Sequence, residues 1–179
     1  MSREVARALL RARCLLQGEF KLSSGGVSRF YVDVRRVYSH PSEAKLVVSA
    51  LAEVAGKLGC DVVAGVESGG IPLATIVAFI LDKPLVYVRK KPKEHGTQNM
   101  IEGDPDVKGA AVVVDDVATT GSSILRAVGA LREAGFVVRD ALVVIDRGEG
   151  AAQTLGKAGV KLHALLTLKE LLEEAGATA

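Results

Sequence analysis

Residues 110–123, AAVVVDDVATTGSS, are the stretch that decides the fold. The apolar first half is typical of a strand that is buried on both faces of a parallel sheet. Two adjacent acids, Asp115 and Asp116, end this strand, and a loop of small hydroxyl and glycine residues follows them. A helix is predicted to begin near Ser122. The order of strand, loop and helix therefore predicts one unit of an α/β fold.

The same strand pattern occurs elsewhere in the chain, at residues 62–66, 85–89, 141–146 and 162–166. Amphipathic stripes at helical spacing lie between these strands, at residues 44–58 and 124–131. The run 71–81 holds eleven apolar or small residues, and because a membrane span needs about 20, we predict a core helix there. This alternation predicts an α/β class fold with a doubly wound parallel sheet.

The two ends of the chain depart from this alternation. A helix is predicted over about residues 2–16, and turn residues with alternating apolar positions predict a short hairpin over residues 20–36. We expect this hairpin to form a small N-terminal hood over the end of the sheet where ligands of open α/β folds bind. Residues 168–174 are predicted to form a closing helix. We expect a single domain over 1–179, with the hood segment in about 1–40 and the α/β core in about 41–179.

Composition narrows the class of protein. The chain has 179 residues, of which 49% are hydrophobic and 25% charged, which is the composition of one globular domain. The 23 Lys and Arg against 21 Asp and Glu leave a net charge of +2, which argues against a nucleic-acid partner. Cys14 and Cys60 are the two cysteines, which fits a reducing, cytoplasmic location. Charged residues interrupt the first apolar runs, so we expect neither a secretory signal nor a membrane anchor.

The loop after the acids has the chemistry of a phosphate site. Backbone N–H groups of residues 118–123 can converge on an anion at a helix N-terminus, and the hydroxyls of Thr119, Thr120, Ser122 and Ser123 add donors. The adjacent carboxylates would accept hydrogen bonds from sugar hydroxyls, so the pair of features predicts a ribose 5-phosphate site. A Walker B strand or a Rossmann acid would need a glycine-rich partner motif, which the sequence lacks. A plain helix cap stays a minor alternative.

A basic segment, residues 87–103 with the sequence YVRKKPKEHGTQNMIEG, is the second chemical feature. A solvated basic loop is the plain interpretation of such a run. Beside a phosphate site, its cations could instead bind an anionic group of the ligand, and His95 could donate a proton.

These motifs resemble a known family. VVVDDVATTGSS resembles the phosphoribosyl diphosphate (PRPP) signature of the type I phosphoribosyltransferases, and RKKPKEHG resembles the catalytic loop R-K-x-x-K-x-H-G of the orotate phosphoribosyltransferases. The resemblance implies transfer of the phosphoribosyl group from PRPP to N1 of orotate. The products would be orotidine 5′-monophosphate and diphosphate, in pyrimidine biosynthesis.

The same resemblance implies the site residues. The candidate catalytic residues are Lys93, His95, Asp115 and Asp116. The candidate PRPP-binding residues are Arg89, Lys90, Lys93, His95, Asp115, Asp116, Val117, Ala118, Thr119, Thr120, Gly121, Ser122 and Ser123.

Two further segments carry the resemblance to the orotate site. FKLSSGGVSRFYVD at 20–33 and IDRGEG at 145–150 are similar to the segments of that family which border the base. They imply that Phe30, Tyr31, Thr119 and Arg147 contact orotate, with the Arg147 guanidinium facing the orotate carboxylate. The alternative for Arg147 is a salt bridge to Asp146 or Glu149, and for the two aromatics it is an ordinary place in the core.

The resemblance also implies the remaining partners. Mg²⁺ is expected as cofactor, held mainly by the substrate and by water rather than by a cage of protein ligands. A homodimer is expected, in which the catalytic loop closes over the partner's active site. Gly69 and Ser23 replace lysines that many bacterial members carry, so the sequence leaves two cationic contacts to PRPP open, although the loop backbone can still bind. A purine phosphoribosyltransferase and a PRPP-sensing regulator that binds nucleic acid are the alternatives. A purine phosphoribosyltransferase would not explain the basic loop or Arg147. A regulator that binds nucleic acid needs a basic surface beyond that loop, and the charge balance of the rest of the chain argues against one.

Overall fold

The computed structural model describes residues 2–21, 26–91 and 100–177. The helices are α1 (Ser2–Arg11), α2 (Pro41–Leu58), α3 (Gly70–Leu81), α4 (Ser122–Glu133), α5 (Ala151–Lys157) and α6 (Leu168–Glu174), with a 3-10 helix at Val34–Ser39. The strands are β1 (Leu15–Lys21), β2 (Val27–Val32), β3 (Val62–Val66), β4 (Leu85–Val88), β5 (Ile101–Glu102), β6 (Ala110–Ala118), β7 (Val137–Asp146) and β8 (Lys161–Thr167).

The main sheet has six strands in the order β5-β4-β3-β6-β7-β8. All neighbours are parallel except β5, which runs antiparallel to β4 at one edge. Side chains of a strand alternate between its faces. Val112 and Val114 of β6 pack into one apolar cluster, whereas Ala111 and Val113 pack into the other. The central strand is therefore buried on both sides, as its continuous apolar sequence predicted.

Helices cover both faces of this sheet. Leu51 of α2 and Leu73 of α3 belong to the first cluster, together with residues of α1 and α6. Ile124 of α4 and Leu155 of α5 belong to the second. All four of these side chains are fully buried. The predicted doubly wound α/β architecture is confirmed, and all five predicted parallel strands are present.

The N-terminal segment differs from its prediction. The helix predicted over 2–16 ends at Arg11, because Arg13 adopts the left-handed region with φ of 55° and turns the chain. Leu15 and Leu16 instead begin β1, where they pair with Val32 and Tyr31 of β2. The antiparallel hairpin is confirmed, but its first strand starts before residue 20. The division of the chain near residue 40 stays a prediction.

The hairpin also ends earlier than expected, at Val32 rather than at Arg36. The 3-10 helix follows it and is anchored by Val34 and Val37, which are fully buried. Tyr38 at the end of this helix donates a hydrogen bond from its hydroxyl to the carbonyl oxygen of Gly69, at 3.0 Å. The hood is thus tied directly to the turn between β3 and α3.

The predicted core helix, α3, is buried on one face only. Leu73 and Val77 pack inside, whereas Phe79 and Ile80 are 81% and 51% exposed. No helix in the described part of the chain is both long enough and apolar enough to cross a membrane.

Candidate active site

A cavity of about 270 Å³ opens at the carboxyl ends of β3, β6 and β7, beside the hood. This is the edge at which open α/β folds bind ligands. Its lining comes from five segments of the chain: Tyr31, Val32, Asp33, Arg35, Glu67, Ser68, Gly69, Lys90, Asp115, Asp116, Val117, Ser123 and Arg147.

The two acids are the sixth and seventh of the nine residues of β6, so the strand does not end at them as predicted. The strand continues to Ala118 because β6 stays paired with β7 up to that residue. The buried carboxylate of Asp115 accepts the backbone N–H of Asp116 at 2.9 Å and the Ser123 hydroxyl at 3.3 Å. Burial, and then the charge of Asp116, raise the pKa of Asp115 well above its usual value. The site thus holds one carboxyl group that resists ionisation beside a second, more exposed one.

The predicted phosphate loop joins β6 to α4. Gly121 has a φ of 81°, and a Cβ there would lie 3.2 Å from Ala151 Cα, so the turn requires glycine. No side chain of the described residues caps α4, so its first N–H groups point to an open anion position. The Ser122 hydroxyl accepts from Thr120 at 3.2 Å. The loop connects two lining residues of the cavity, Val117 and Ser123.

Two of the predicted PRPP contacts, Val117 and Ala118, belong to the strand. The N–H of Val117 is already donated to the Asp116 carboxylate at 2.9 Å. Ala118 is buried, and its carbonyl accepts from the N–H of Arg147 at 2.9 Å. The Val117 N–H is therefore engaged by a side chain, and Ala118 is held in the pairing with Asp146 of β7. We expect the N–H groups open to an anion to begin at Thr119.

The turn after β3 explains why the chain has glycine at position 69. The Asp116 carboxylate packs against Gly69, and a Cβ at that position would overlap its oxygens. A side chain of any kind, including a lysine, needs Asp116 to move first. In the same turn, the Glu67 carboxylate accepts the backbone N–H of Lys90 at 2.6 Å and so fixes the point where β4 leaves the sheet.

Arg147 is buried at the cavity wall with only 5% of its side chain exposed. Its Nε donates to Glu149 Oε1 at 2.6 Å. Asp146 accepts the Gly148 N–H instead, so Glu149 is the salt-bridge partner of the two that the sequence allowed. Because Arg147 also lines the cavity, the ion pair and the predicted contact with a carboxylate ligand are compatible.

The structure separates the two candidate aromatics. Tyr31 lines the cavity, and its ring stacks at a tilt on Phe20, with centroids 5.4 Å apart. Phe30 is the neighbouring residue on β2, so it points to the opposite face of the strand, and it is 7% exposed. Of the pair, Tyr31 is the one that lines this cavity, and the contact of both residues with orotate stays a prediction.

The basic segment is described only in part. Lys90 lines the cavity, whereas Arg89 reaches the other way and pairs with Glu102 of β5 at 3.2 Å. The predicted contact of Arg89 with PRPP therefore competes with an existing ion pair. Lys93, His95 and Ser23 lie outside the described residues.

Four polar lining residues were missed by the sequence analysis: Asp33, Arg35, Glu67 and Ser68. Asp33 closes the quoted hood motif, and Arg35 follows it by two residues. Glu67 and Ser68 lie inside the glycine-bearing stretch VAGVESGGIPLA at 63–74. Polar residues between an apolar strand and a glycine turn were the available signal.

The lining carries little net charge. Four carboxyl groups, those of Asp33, Glu67, Asp115 and Asp116, face three cations, and the raised pKa of Asp115 opposes ionisation of one of the four. A polyanionic ligand needs additional positive charge in such a cavity. The described residues contain no group of three or more His, Cys, Asp or Glu that could hold a metal ion.

Comparison with known proteins identifies this arrangement. Residues 28–158 match the family model described as "Phosphoribosyl transferase domain", so the site belongs to a phosphoribosyltransferase. The orotate phosphoribosyltransferase of Aeropyrum pernix is 45% identical over 174 residues, covering 96% of this chain and 93% of its own. The chain therefore belongs to the orotate phosphoribosyltransferase family, and the predicted family and class of enzyme are confirmed.

Solved structures agree with this assignment. The crystal structure of the Aeropyrum pernix enzyme has a TM-score of 0.87 and 43% identity, and covers 96% of this chain and 99% of its own. An orotate phosphoribosyltransferase from Mycobacterium tuberculosis, solved in complex with PRPP, has a TM-score of 0.74 and 31% identity, and covers 95% and 98% respectively. The fold predicted from sequence is that of these enzymes.

Proposed function

We propose that this cavity transfers the phosphoribosyl group of PRPP to N1 of orotate, giving orotidine 5′-monophosphate and diphosphate. One observation carries the proposal: a sugar-binding acid pair, an uncapped helix N-terminus and a buried arginine meet at one cavity. Asp115, Asp116, Ser123 and Arg147 all line it. The family to which the chain belongs supports the choice of orotate as the acceptor.

The strand order supports one orientation of the substrates. The phosphate would bind at the start of α4, with the ribose hydroxyls on the acids of β6. C1 of the ribose then lies between β3 on one side of β6 and β7 on the other. Arg147 follows β7, so orotate would bind on that side with its carboxylate on the guanidinium. The diphosphate would leave on the opposite side, toward the turn at Glu67 and Gly69.

The chemistry would be displacement at the anomeric carbon through a transition state with oxocarbenium character. Catalysis would rest on positioning and on charge stabilisation, without a protein nucleophile. Asp116 and Asp115 would hold the ribose hydroxyls and face the positive charge that develops on the ring. Lys90 and Lys93 would bind the departing diphosphate, and His95 would donate a proton to its leaving oxygen.

Magnesium fits the residues of the cavity. The carboxyl groups of Asp33, Glu67, Asp115 and Asp116 line the cavity, and Mg²⁺ is usually bound by one or two carboxylates together with substrate phosphates and water. We expect the substrate and water to supply most of its ligands. When bound, the ion would neutralise charge on the diphosphate.

We also propose a homodimer in which each catalytic loop serves the partner's site. The outer face of α3 supports an interface, because Ile76, Phe79 and Ile80 expose apolar surface there. The two free, buried cysteines support residence in the reducing cytoplasm.

A spectrophotometric assay tests the proposed function. Loss of orotate absorbance is followed with PRPP and Mg²⁺, and adenine, hypoxanthine and uracil are run as competing acceptors. We expect turnover of orotate alone. Turnover of a purine without turnover of orotate would overturn the assignment.

A further inference from the structure

We propose that Arg35, on the 3-10 helix of the hood, is a diphosphate-binding residue of this site. The inference rests on the proposed function and goes beyond it, because Arg35 belongs to none of the motifs that define the phosphate, ribose or orotate positions. It assigns to the hood a direct role in holding PRPP.

The position of Arg35 places it on the diphosphate side of the cavity. Arg35 lines the cavity together with Ser68 and Gly69. Tyr38, three residues further along the same short helix, donates its hydroxyl hydrogen bond to the Gly69 carbonyl. The helix therefore lies over the turn after β3, on the side of β6 opposite to Arg147.

The side chain is oriented for an anionic ligand. Its Nε donates to Asp33 Oδ1 at 2.7 Å, and Asp33 in turn is fixed by donating its N–H to the Cys14 carbonyl at 2.8 Å. Within the described residues Asp33 is the hydrogen-bond partner of Arg35, and half of the arginine side chain is exposed. A guanidinium held by its Nε presents its two Nη groups as a fork, which matches two phosphate oxygens.

A diphosphate bound at the turn after β3 needs a cation from another part of the chain. The turn offers the Glu67 carboxylate and a bare Gly69, where the packing of Asp116 leaves no room for a side chain. Arg147 follows β7, on the other side of β6 from this turn. Among the described lining residues, Lys90 and Arg35 are then the cations that can meet a diphosphate at this turn.

Three ligands separate a diphosphate contact from other roles. PRPP and inorganic diphosphate contain the diphosphate, whereas orotidine 5′-monophosphate contains a ribose phosphate and a base but no diphosphate. The variants are Arg35→Gln and Arg35→Lys, compared with Arg36→Gln. Arg36 is a matched control because it also pairs with Asp33, at 3.9 Å, but does not line the cavity.

For Arg35→Gln we expect the KM for PRPP and the Kd for diphosphate to rise about 10- to 100-fold, the loss typical of a hydrogen bond to a charged group. The Kd for orotidine 5′-monophosphate should stay unchanged, and Arg35→Lys should fall between Arg35→Gln and the wild type. Arg36→Gln should match the wild type with all three ligands.

Equal weakening of orotidine 5′-monophosphate binding, or unchanged diphosphate binding in Arg35→Gln, would overturn the inference and leave the proposed function standing. If Arg35→Gln does not fold, the same comparison is made with Arg35→Lys. Wild-type protein that fails to turn over orotate would overturn both.

Discussion

Arg147 Nε lies 2.6 Å from Glu149 Oε1 at the wall of the cavity, where the arginine side chain is buried and the glutamate is partly exposed. A carboxylate on a neighbouring residue thus holds the guanidinium before any ligand arrives. Because Nε is the atom engaged, the Nη groups are left to face a planar carboxylate in the cavity. The relationship leads to two separate predictions.

Removal of the guanidinium should act on orotate alone. For Arg147→Gln we expect the KM for orotate to rise about 10- to 100-fold, because a charge-assisted hydrogen bond is lost. Steady-state kinetics with each substrate varied in turn would measure this. The KM for PRPP is the internal control, and an equal rise in both values would contradict the assignment.

Loss of the Glu149 carboxylate should raise the KM for orotate by less than loss of the Arg147 guanidinium does. For Glu149→Gln, one charge-assisted bond becomes a neutral one, so the KM for orotate should rise by about five-fold. In the double variant with Arg147→Gln, the two effects should not add, since Glu149 acts through the guanidinium. Additive losses would show that Glu149 contacts the ligand independently.

Asp115 should lower the stability of the folded chain. Its pKa is raised by burial and by Asp116, so the ionised group opposes folding. This penalty is absent below the pKa of the unfolded chain, about 4, and it grows as the pH rises from there through the higher pKa of the folded state. Asp115→Asn should therefore unfold at a higher temperature than the wild type at pH 7, by about 2 to 4 °C for each kcal/mol relieved.

Thermal unfolding at pH 7 and near pH 4 would measure the effect, which should shrink at the lower pH. Asp106→Asn, at an exposed position, is the control and should leave the midpoint unchanged. Turnover should be lost in Asp115→Asn. A variant that is less stable at pH 7 would contradict the assigned direction.

A methyl group at position 69 should disturb the acid pair. In Gly69→Ala the added Cβ would overlap the Asp116 carboxylate, so Asp116 must leave its present position. A displacement of about 1 Å in a catalytic site can cost about 100-fold in turnover, and we expect a loss of that order. Gly129→Ala in α4 has open space around the added Cβ, and this control should keep full activity. Equal activity in both variants would show that Asp116 can move freely.

Two inactive variants should restore activity to each other if the catalytic loop is shared between subunits. Lys93→Ala removes a cation of the catalytic loop, and Asp116→Asn removes one acid of the pair on β6, so neither homodimer should turn over orotate. In a mixed dimer, the intact loop of one subunit meets the intact acid pair of the other, which forms one working site. Turnover should therefore appear on mixing and subunit exchange. Continued inactivity in a verified mixed dimer would contradict a shared loop.

The local hydrophobic pattern of the sequence predicted most strands of the core. β3 has the predicted bounds because each of its residues is buried. β6 runs past its prediction because Asp115 pairs with Val143 and Ala118 with Asp146 in the neighbouring strand. A sequence cannot show this, since acids are rare in strands. The left-handed Arg13, which ends α1, is likewise invisible to propensity.

The site was predicted where motif residues reach it through a single strand or loop. Lys90, Ser123 and Arg147 belong to this group. Arg35 was missed because it enters the cavity through the packing of the hood. The pairing of Arg89 with Glu102, thirteen positions away, was not predicted either. Such long-range pairings depend on the assembled fold rather than on the local sequence.

The burial of β6 on both faces has a consequence for how the enzyme fails on heating. Val112, Val113 and Val114 are almost fully buried between the two clusters, so their amide hydrogens are expected to exchange with solvent only through global unfolding. The acids are two and three residues from the middle of this segment. We therefore expect the backbone that carries Asp115 and Asp116 to stay in place until the whole fold is lost.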